Sequence, residues 1–422
     1  MKVIGQRERF GSHLGLERIQ LVCDALGNPE KGLKCIHIAG TSGKGSVSAL
    51  LTEVLSRSGM NVGTFTSPHL EQYNERFKIN GTSIDSGTLD AVIASADRAC
   101  KEVEAQFPEV GAVTEFELAA AAGFLYFHQS QVDIVVLETG LGGRLDATNV
   151  VSPILTVITT ISYDHQDRLG STLEEISFEK GGIIKAGVPI ISGVQAPEAQ
   201  ATLKRIAAEK GAPWRSTNDV SWTRHGWNLN GGSLTFPGIG LVHTGLLGAH
   251  QLDNAATALL AITELRDLGY AISEEAISRG FKEVVWPGRL ELISRKPLIL
   301  LDGAHNPEGI AALAESLQHI QREEGEGTFT FLFGMMNNKS FSLLDPLIPL
   351  ARRFVFSQAE SGRLPAMEPS RMADYVRGHG VEAVAFEDLA EAVQEAKGTP
   401  PLCICGSLYL IGSVKRFLRP SL

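Results

Sequence analysis

Three glycine- and charge-rich stretches hold residue types suited to a nucleotide. The first is Ala39-Gly40-Thr41-Ser42-Gly43-Lys44-Gly45-Ser46. Glycines let the backbone curl so that successive N–H groups and a following helix N-terminus face an anion. Lys44 would add a point charge for the β- and γ-phosphates, and a hydroxyl directly after the lysine normally completes a magnesium shell. Here Gly45 stands in that place and Ser46 follows one step later, so the strict phosphate-loop pattern is not met. A plain turn between strand and helix is the alternative. The second stretch, Val135 to Asn149, is a hydrophobic strand ending in Glu138, then a glycine-rich loop containing Arg144-Leu145-Asp146-Ala147. A carboxylate at a strand's carboxyl end commonly holds magnesium in α/β proteins, although Glu138 could equally be a cap or a loop carboxylate. The third is Ser162-Tyr163-Asp164-His165, followed by Phe178-Glu179-Lys180-Gly181-Gly182. It would bring His165 and Lys180 near Glu138 if these loops share one sheet edge. A lone histidine is more often structural, and most lysines are surface ion-pair partners. Further on, Leu301-Asp302-Gly303-Ala304-His305-Asn306-Pro307 again sets polar groups after an apolar run, with Asn306 readable as a helix cap before Pro307.

The elements that must position these groups read as an alternating series. Strand-like runs at Cys35–Ala39, Val62–Thr66, Asp133–Glu138, Ile154–Thr160 and Val188–Ser192 alternate with helical patterns such as Ser46–Arg57 and Glu115–Phe127. That alternation predicts a mostly parallel sheet covered by helices. From Pro213 to Gly248 the texture changes, and Asn230-Gly231-Gly232 reads as a hairpin turn within a small antiparallel insert. A helical pattern returns at Leu252–Leu268. After the breakers Trp286-Pro287-Gly288-Arg289 comes a second α/β series, with strands at Leu298–Leu301, Thr328–Phe333, Arg353–Ser357, Ala383–Phe386 and Leu402–Cys405. The expectation is an α/β protein of two domains. Residues 1–286 would form a phosphate-loop NTPase-like parallel-sheet domain with the insert, and 287–422 a smaller Rossmann-like α/β domain.

Bulk properties agree with that frame. At 422 residues the chain is too long for one ordinary domain, and 43% hydrophobic with 20% charged residues is a globular balance. The formal charge of −10 argues against nucleic acid, whose phosphates need clustered Lys and Arg. The five scattered cysteines, including Cys403 and Cys405 in an apolar run, suit a reduced interior better than a metal site. The N-terminus lacks an apolar signal core and no apolar run of about 18 residues occurs, so a cytoplasmic location without a membrane span is expected.

Together these motifs resemble the Mur ligase superfamily, and within it the folylpolyglutamate synthase/dihydrofolate synthase family. The resemblance starts at Gly15-Leu16-Glu17-Arg18-Ile19 and runs through Gly40–Ser46. It takes in Thr66-Ser67-Pro68-His69-Leu70, Glu75-Arg76 and Asn80-Gly81, and ends at Ile404-Cys405-Gly406-Ser407-Leu408-Tyr409. A glycine after the phosphate-loop lysine is that family's habit. The resemblance implies that Gly40, Thr41, Ser42, Gly43, Lys44, Gly45 and Ser46 hold ATP phosphates. It implies that Ser67, Glu138 and His165 bind magnesium, with two ions expected, and that Lys180 is carbamylated. Asn254, Arg289 and Asp302 match nucleotide contacts, Asp302 near the ribose, and His305 matches a functional position. Arg76 and the Arg144–Asn149 loop, with Asp146 and Ala147, match substrate-binding positions of the bifunctional bacterial members. Lys339 falls in a motif that usually reads Asp-Lys-Asp, but here reads Asn337-Asn338-Lys339-Ser340.

The implied activity is an ATP-dependent amide ligase. It would form an acyl phosphate on dihydropteroate or a folate glutamate tail, then join L-glutamate. Its partners would be small molecules only, and the chain a monomer. Another Mur-type amino-acid ligase is one rival reading, and an ATP-driven switch without a carboxylate acceptor is the other.

Overall fold

The structure is a computed structural model and describes residues 4, 5, 7, 15–359 and 365–418. Its first sheet contains β1 (Cys35–Ala39), β2 (Val62–Phe65), β3 (Phe77–Ile79), β4 (Thr82–Ser83), β5 (Ile134–Glu138), β6 (Leu155–Ile158), β7 (Ile190–Ser192) and β8 (Trp214–Ser216). They lie in the order β4-β3-β2-β5-β1-β6-β7-β8. Pairing is parallel except where β3 returns antiparallel along β2 and β4 along β3.

Both faces of this sheet are buried, and the strands show it residue by residue. On β5, Val135 and Leu137 join one hydrophobic cluster while Ile134 and Val136 join the other. The first cluster is closed by α1 (Glu17–Ala25), α3 (Ser86–Gln106) and α4 (Glu115–Gln129). The second is closed by α2 (Lys44–Arg57), α8 (Ala249–Asp267) and α9 (Glu274–Glu283). Such two-sided burial explains why the parallel strands read as continuous apolar runs. α5 (Gln166–Leu169), α6 (Leu173–Gly181) and α7 (Pro197–Glu209) follow β6 and β7.

The antiparallel insert is β9 (Thr223–Asn228), β10 (Gly231–Phe236) and β11 (Gly240–Thr244). It differs from the sequence expectation in two ways. Trp214–Ser216 is not part of it but pairs in parallel with β7 as the last strand of the large sheet. The turn is Leu229-Asn230, and Gly231 already pairs with Asn228. The insert also touches the second domain. Arg295 donates to Leu229 O at 2.7 Å, and His319 Nε2 donates to Trp227 O at 2.8 Å.

The second domain holds β12 (Glu291–Arg295), β13 (Leu298–Leu301), β14 (Phe329–Phe333), β15 (Ala351–Phe356), β16 (Glu382–Ala385) and β17 (Leu402–Cys405), in the order β12-β13-β17-β14-β15-β16. Only β12 is antiparallel. Its helices are α10 (Pro307–Glu324), α11 (Pro369–Gly378), α12 (Leu389–Lys397) and α13 (Leu408–Leu418). Among the described residues no helix is long and apolar enough to cross a membrane.

Candidate active site

Strands β2, β5, β1 and β6 are neighbours and run parallel, so their carboxyl ends share one edge. Each runs into a motif: Ser67 follows β2, Glu138 ends β5, Gly40 follows β1 and His165 lies in the loop after β6. A carboxyl edge of this kind is where α/β folds bind ligands.

The Gly40–Ser46 loop joins β1 to α2. Gly40 and Gly43 have φ of 152° and 90°, a region that favours glycine. Thr41 and Ser42 donate their N–H groups to Thr160 O, and Thr41 Oγ1 donates to Ser162 O at 3.1 Å, which pins the loop to the β6 connection. The first N–H groups of α2 have no intrahelical partner and are left for an anion. A Cβ built at Gly43 would fall 2.1 Å from Asn254 Oδ1, so only glycine lets α8 bring Asn254 this close.

Two lysines converge on one carbonyl. Lys44 Nζ donates to Gly40 O at 3.1 Å and Lys180 Nζ donates to the same oxygen at 2.8 Å. Lys180 is buried on the last turn of α6, where burial, and secondly the Lys44 charge, push its pKa down to about 7. Glu138 is buried nearby, and its Oε2 has no hydrogen-bond partner. Burial raises its pKa to about 7, against the pull of Lys44, Arg289 and the Ser67 backbone N–H. A buried carboxylate oxygen without a protein partner is chemically able to take a cation as its partner.

The second domain supplies the facing wall. Asp302 accepts from Leu290 N and Ala304 N, both at 2.7 Å, and burial raises its pKa although Arg289 opposes this. His305 Nδ1 donates to Gly303 O at 2.8 Å, and burial lowers its pKa, with Arg289 and Lys339 adding to the effect. Lys339 therefore lies within electrostatic reach of the site. Asn306 does cap α10, accepting from Gly309 N, and also donates to Asp164 Oδ2 at 3.3 Å across the domain boundary.

The residues expected on the substrate side sit differently. Arg76 is buried, donates to Glu115 at 3.1 Å and lies over Tyr73. Arg144 pairs with Glu179 at 2.8 Å and lies 5.6 Å from the Phe178 ring. Asp146 is buried and spends both oxygens on its own loop, accepting from Gly140 N, Leu141 N, Thr148 N and Thr148 Oγ1. Ala147 is buried behind it. His165 is exposed, with a left-handed φ of 48°, and stands 3.9 Å from Asp164.

Three groups were not singled out by sequence reasoning. Asp164 lies between the domains; burial works to raise its pKa, but His165 and His305 hold it below the usual range. Its position beside His165 in the same strand-end motif was a usable signal. Glu308, on the first turn of α10, accepts from Ser42 Oγ at 3.3 Å and from Ser162 Oγ. Nothing local marks it, since the contact exists only once the two domains meet. His250, one residue before Gln251, is pushed down to about 4 by burial and by Arg289. Among the described residues no three His, Cys, Asp or Glu side chains gather into a metal cage.

This geometry has known counterparts. Residues 38–262 match the Mur ligase middle domain and residues 288–402 the Mur ligase glutamate ligase domain. The dihydrofolate synthase/folylpolyglutamate synthase of Bacillus subtilis (strain 168) is 36% identical over 98% of this chain and 97% of its own length. The Mycobacterium tuberculosis folylpolyglutamate synthase complexed with ADP and AMPPCP superposes with a TM-score of 0.88 at 28% identity, covering 100% of this chain and 97% of that one. The Escherichia coli FolC structure in complex with DHPP and ADP gives 0.84 at 29%, covering 96% and 94%. The fold is thus that of the Mur ligases, and the chain is an ATP-dependent ligase of that class. Within that class, the chain belongs to the dihydrofolate synthase/folylpolyglutamate synthase family.

Proposed function

We propose that this ligase joins L-glutamate both to dihydropteroate and to the glutamate tail of folates. The observation that carries the reading is the strand-edge cluster in which Lys44 and Lys180 share the Gly40 carbonyl beside the unpaired Glu138 oxygen. In the first step the γ-phosphate passes to an acceptor carboxylate oxygen and ADP leaves. In the second the glutamate amine attacks the acyl phosphate, inorganic phosphate departs and the amine loses a proton. Positioning and charge stabilisation dominate such chemistry, and no protein nucleophile is needed.

The roles follow from placement. Gly40–Ser46 and Lys44 cradle the phosphates, with Asn254, Arg289 and Asp302 on the rest of the nucleotide. Ser67, Glu138 and His165 would hold magnesium. The unpaired Glu138 oxygen fits a cation that takes its other ligands from phosphate and water. Magnesium would supply charge neutralisation on the phosphoryl oxygens. Lys180 would be carbamylated, since a pKa of about 7 leaves much of its amine neutral for carbon dioxide. Arg76, Arg144, Asp146 and Ala147 shape the acceptor side, and His305 belongs to the wall that the second domain supplies. Bifunctionality draws support from Arg144-Leu145-Asp146-Ala147-Thr148-Asn149 and from the B. subtilis relative that bears both activities in its name. The division at 286/287, a monomeric state and a cytoplasmic location belong to the same reading; all five cysteines are free and buried.

The test is a coupled ADP assay. ADP release should need both an acceptor, dihydropteroate or a reduced folate, and L-glutamate. Release with neither present would favour a switch. Lys44→Ala should fold and lose ligation, costing about 3 kcal/mol or more of transition-state stabilisation.

A further inference from the structure

The strict phosphate loop places a hydroxyl after its lysine, and this chain places Gly45 there. The structure gives a local reason. A Cβ at Gly45 would fall 2.6 Å from Trp286 Cζ2 and 2.9 Å from its Cε2 and Nε1, so an indole already fills the space a side chain would need. Trp286 does not belong to the phosphate-loop connection in sequence. It lies in the link between α9 and β12, the segment that joins the two domains.

The indole is held on several sides. It packs on the cluster that contains Val47, Leu50 and Val54 of α2, and Lys78 Nζ lies 5.3 Å from the ring centroid. α9 backs the same helix, with Gly280 so close that a Cβ there would fall 2.7 Å from Val54. Downstream the link is tied to the second domain. Gly288 O accepts from Gly303 N at 2.8 Å and Leu290 N donates to Asp302 at 2.7 Å. Arg289 lies between these two ties.

We propose that Trp286 is a positioning residue that seats the interdomain link on the phosphate loop, so that nucleotide occupancy and the placement of Arg289 are coupled through the indole–Gly45 contact. The proposal rests on the nucleotide-site reading of Gly40–Ser46. Ordinary packing would make Trp286 a contributor to stability alone. Coupling makes it a contributor to ATP use and to its own spectroscopic response.

Three measurements test it. In a chain carrying Trp214→Phe, Trp222→Phe and Trp227→Phe, Trp286 is the sole tryptophan and is excited selectively on the red edge, where tyrosine does not absorb. Its emission should change on ADP addition with the same saturation that calorimetry records. Heat of binding without an emission change overturns the proposal, and no heat overturns the nucleotide-site reading and the proposal with it. Trp286→Ala should raise the KM for ATP on the order of tenfold to a hundredfold while the KM for glutamate stays put. Trp286→Phe should retain most activity. An unchanged KM for ATP in folded Trp286→Ala overturns the assignment. Finally, Gly45→Ala should cost activity in the parent chain and little further in the Trp286→Ala background, because the clash is gone; full additivity is the opposing result. The emission measurement needs no change at Trp286 and stands even if Trp286→Ala fails to fold.

Discussion

Lys44 and Lys180 share one acceptor, and two ammonium groups on one carbonyl repel each other. Burial first, and the Lys44 charge second, lower the Lys180 pKa to about 7, which relieves the repulsion. As pH rises through that value, the neutral amine grows and so should the carbamate. With ¹³C-labelled bicarbonate, the folded enzyme should show a carbamate resonance that strengthens between about pH 6 and 8. It should vanish in Lys180→Ala, whose activity short carboxylic acids should partly restore. A spectrum without that resonance means a bare lysine. Glu138 carries the opposite shift, from 4.5 up to about 7. A carboxylate with a raised folded pKa loses stability as pH climbs from its unfolded value through its folded one, so the ligand-free enzyme is penalised fully above pH 7. Glu138→Gln removes the buried charge. It should raise the ligand-free melting temperature at pH 8, by up to about 3 kcal/mol in stability, while abolishing stabilisation by magnesium and ATP. A lower melting temperature at pH 8 would mean that Glu138 already has a cationic partner.

At the scale of elements, the Glu138–Asn149 loop is organised by one side chain. Asp146 accepts from two amides of the glycine turn and from Thr148, whose hydroxyl is 2.8 Å from His37 Nε2 on β1. Asp146→Ala strands those donors and should cost about 2–4 kcal/mol in urea unfolding, with weaker acceptor binding. An unshifted midpoint would mean that the loop is held by other contacts. Much of this architecture was legible beforehand, because buried parallel strands are continuous apolar runs and Cys35–Ala39 or Leu402–Cys405 have no other plausible form. β8 was not, since Trp214-Arg215-Ser216 has no apolar run and pairs only through β7. β3 and β4 are too short to show a period. The same limit applies to the site. Lys44, Glu138 and Lys180 lie in local motifs, whereas Glu308 reaches Ser42 only through tertiary contact, 266 residues away in sequence.

At the scale of the molecule, the two domains meet through tight backbone approaches as well as polar pairs. A Cβ at Gly412 on α13 would fall 2.0 Å from Leu70 O, in the loop that carries Ser67. Gly412→Ala should therefore push α13 off that loop. The expected outcome is a turnover loss on the order of tenfold or more, ADP binding retained, and a larger radius of gyration in solution scattering. Unchanged turnover and scattering would remove this contact from the active arrangement. The short strands at the margins of the large sheet have a different consequence. β4 has two residues and β8 three, so the exposed rows of N–H and C=O that end the sheet are too brief to template a second chain. The eight strands of this sheet therefore close on margins that resist the addition of a strand from another chain along it.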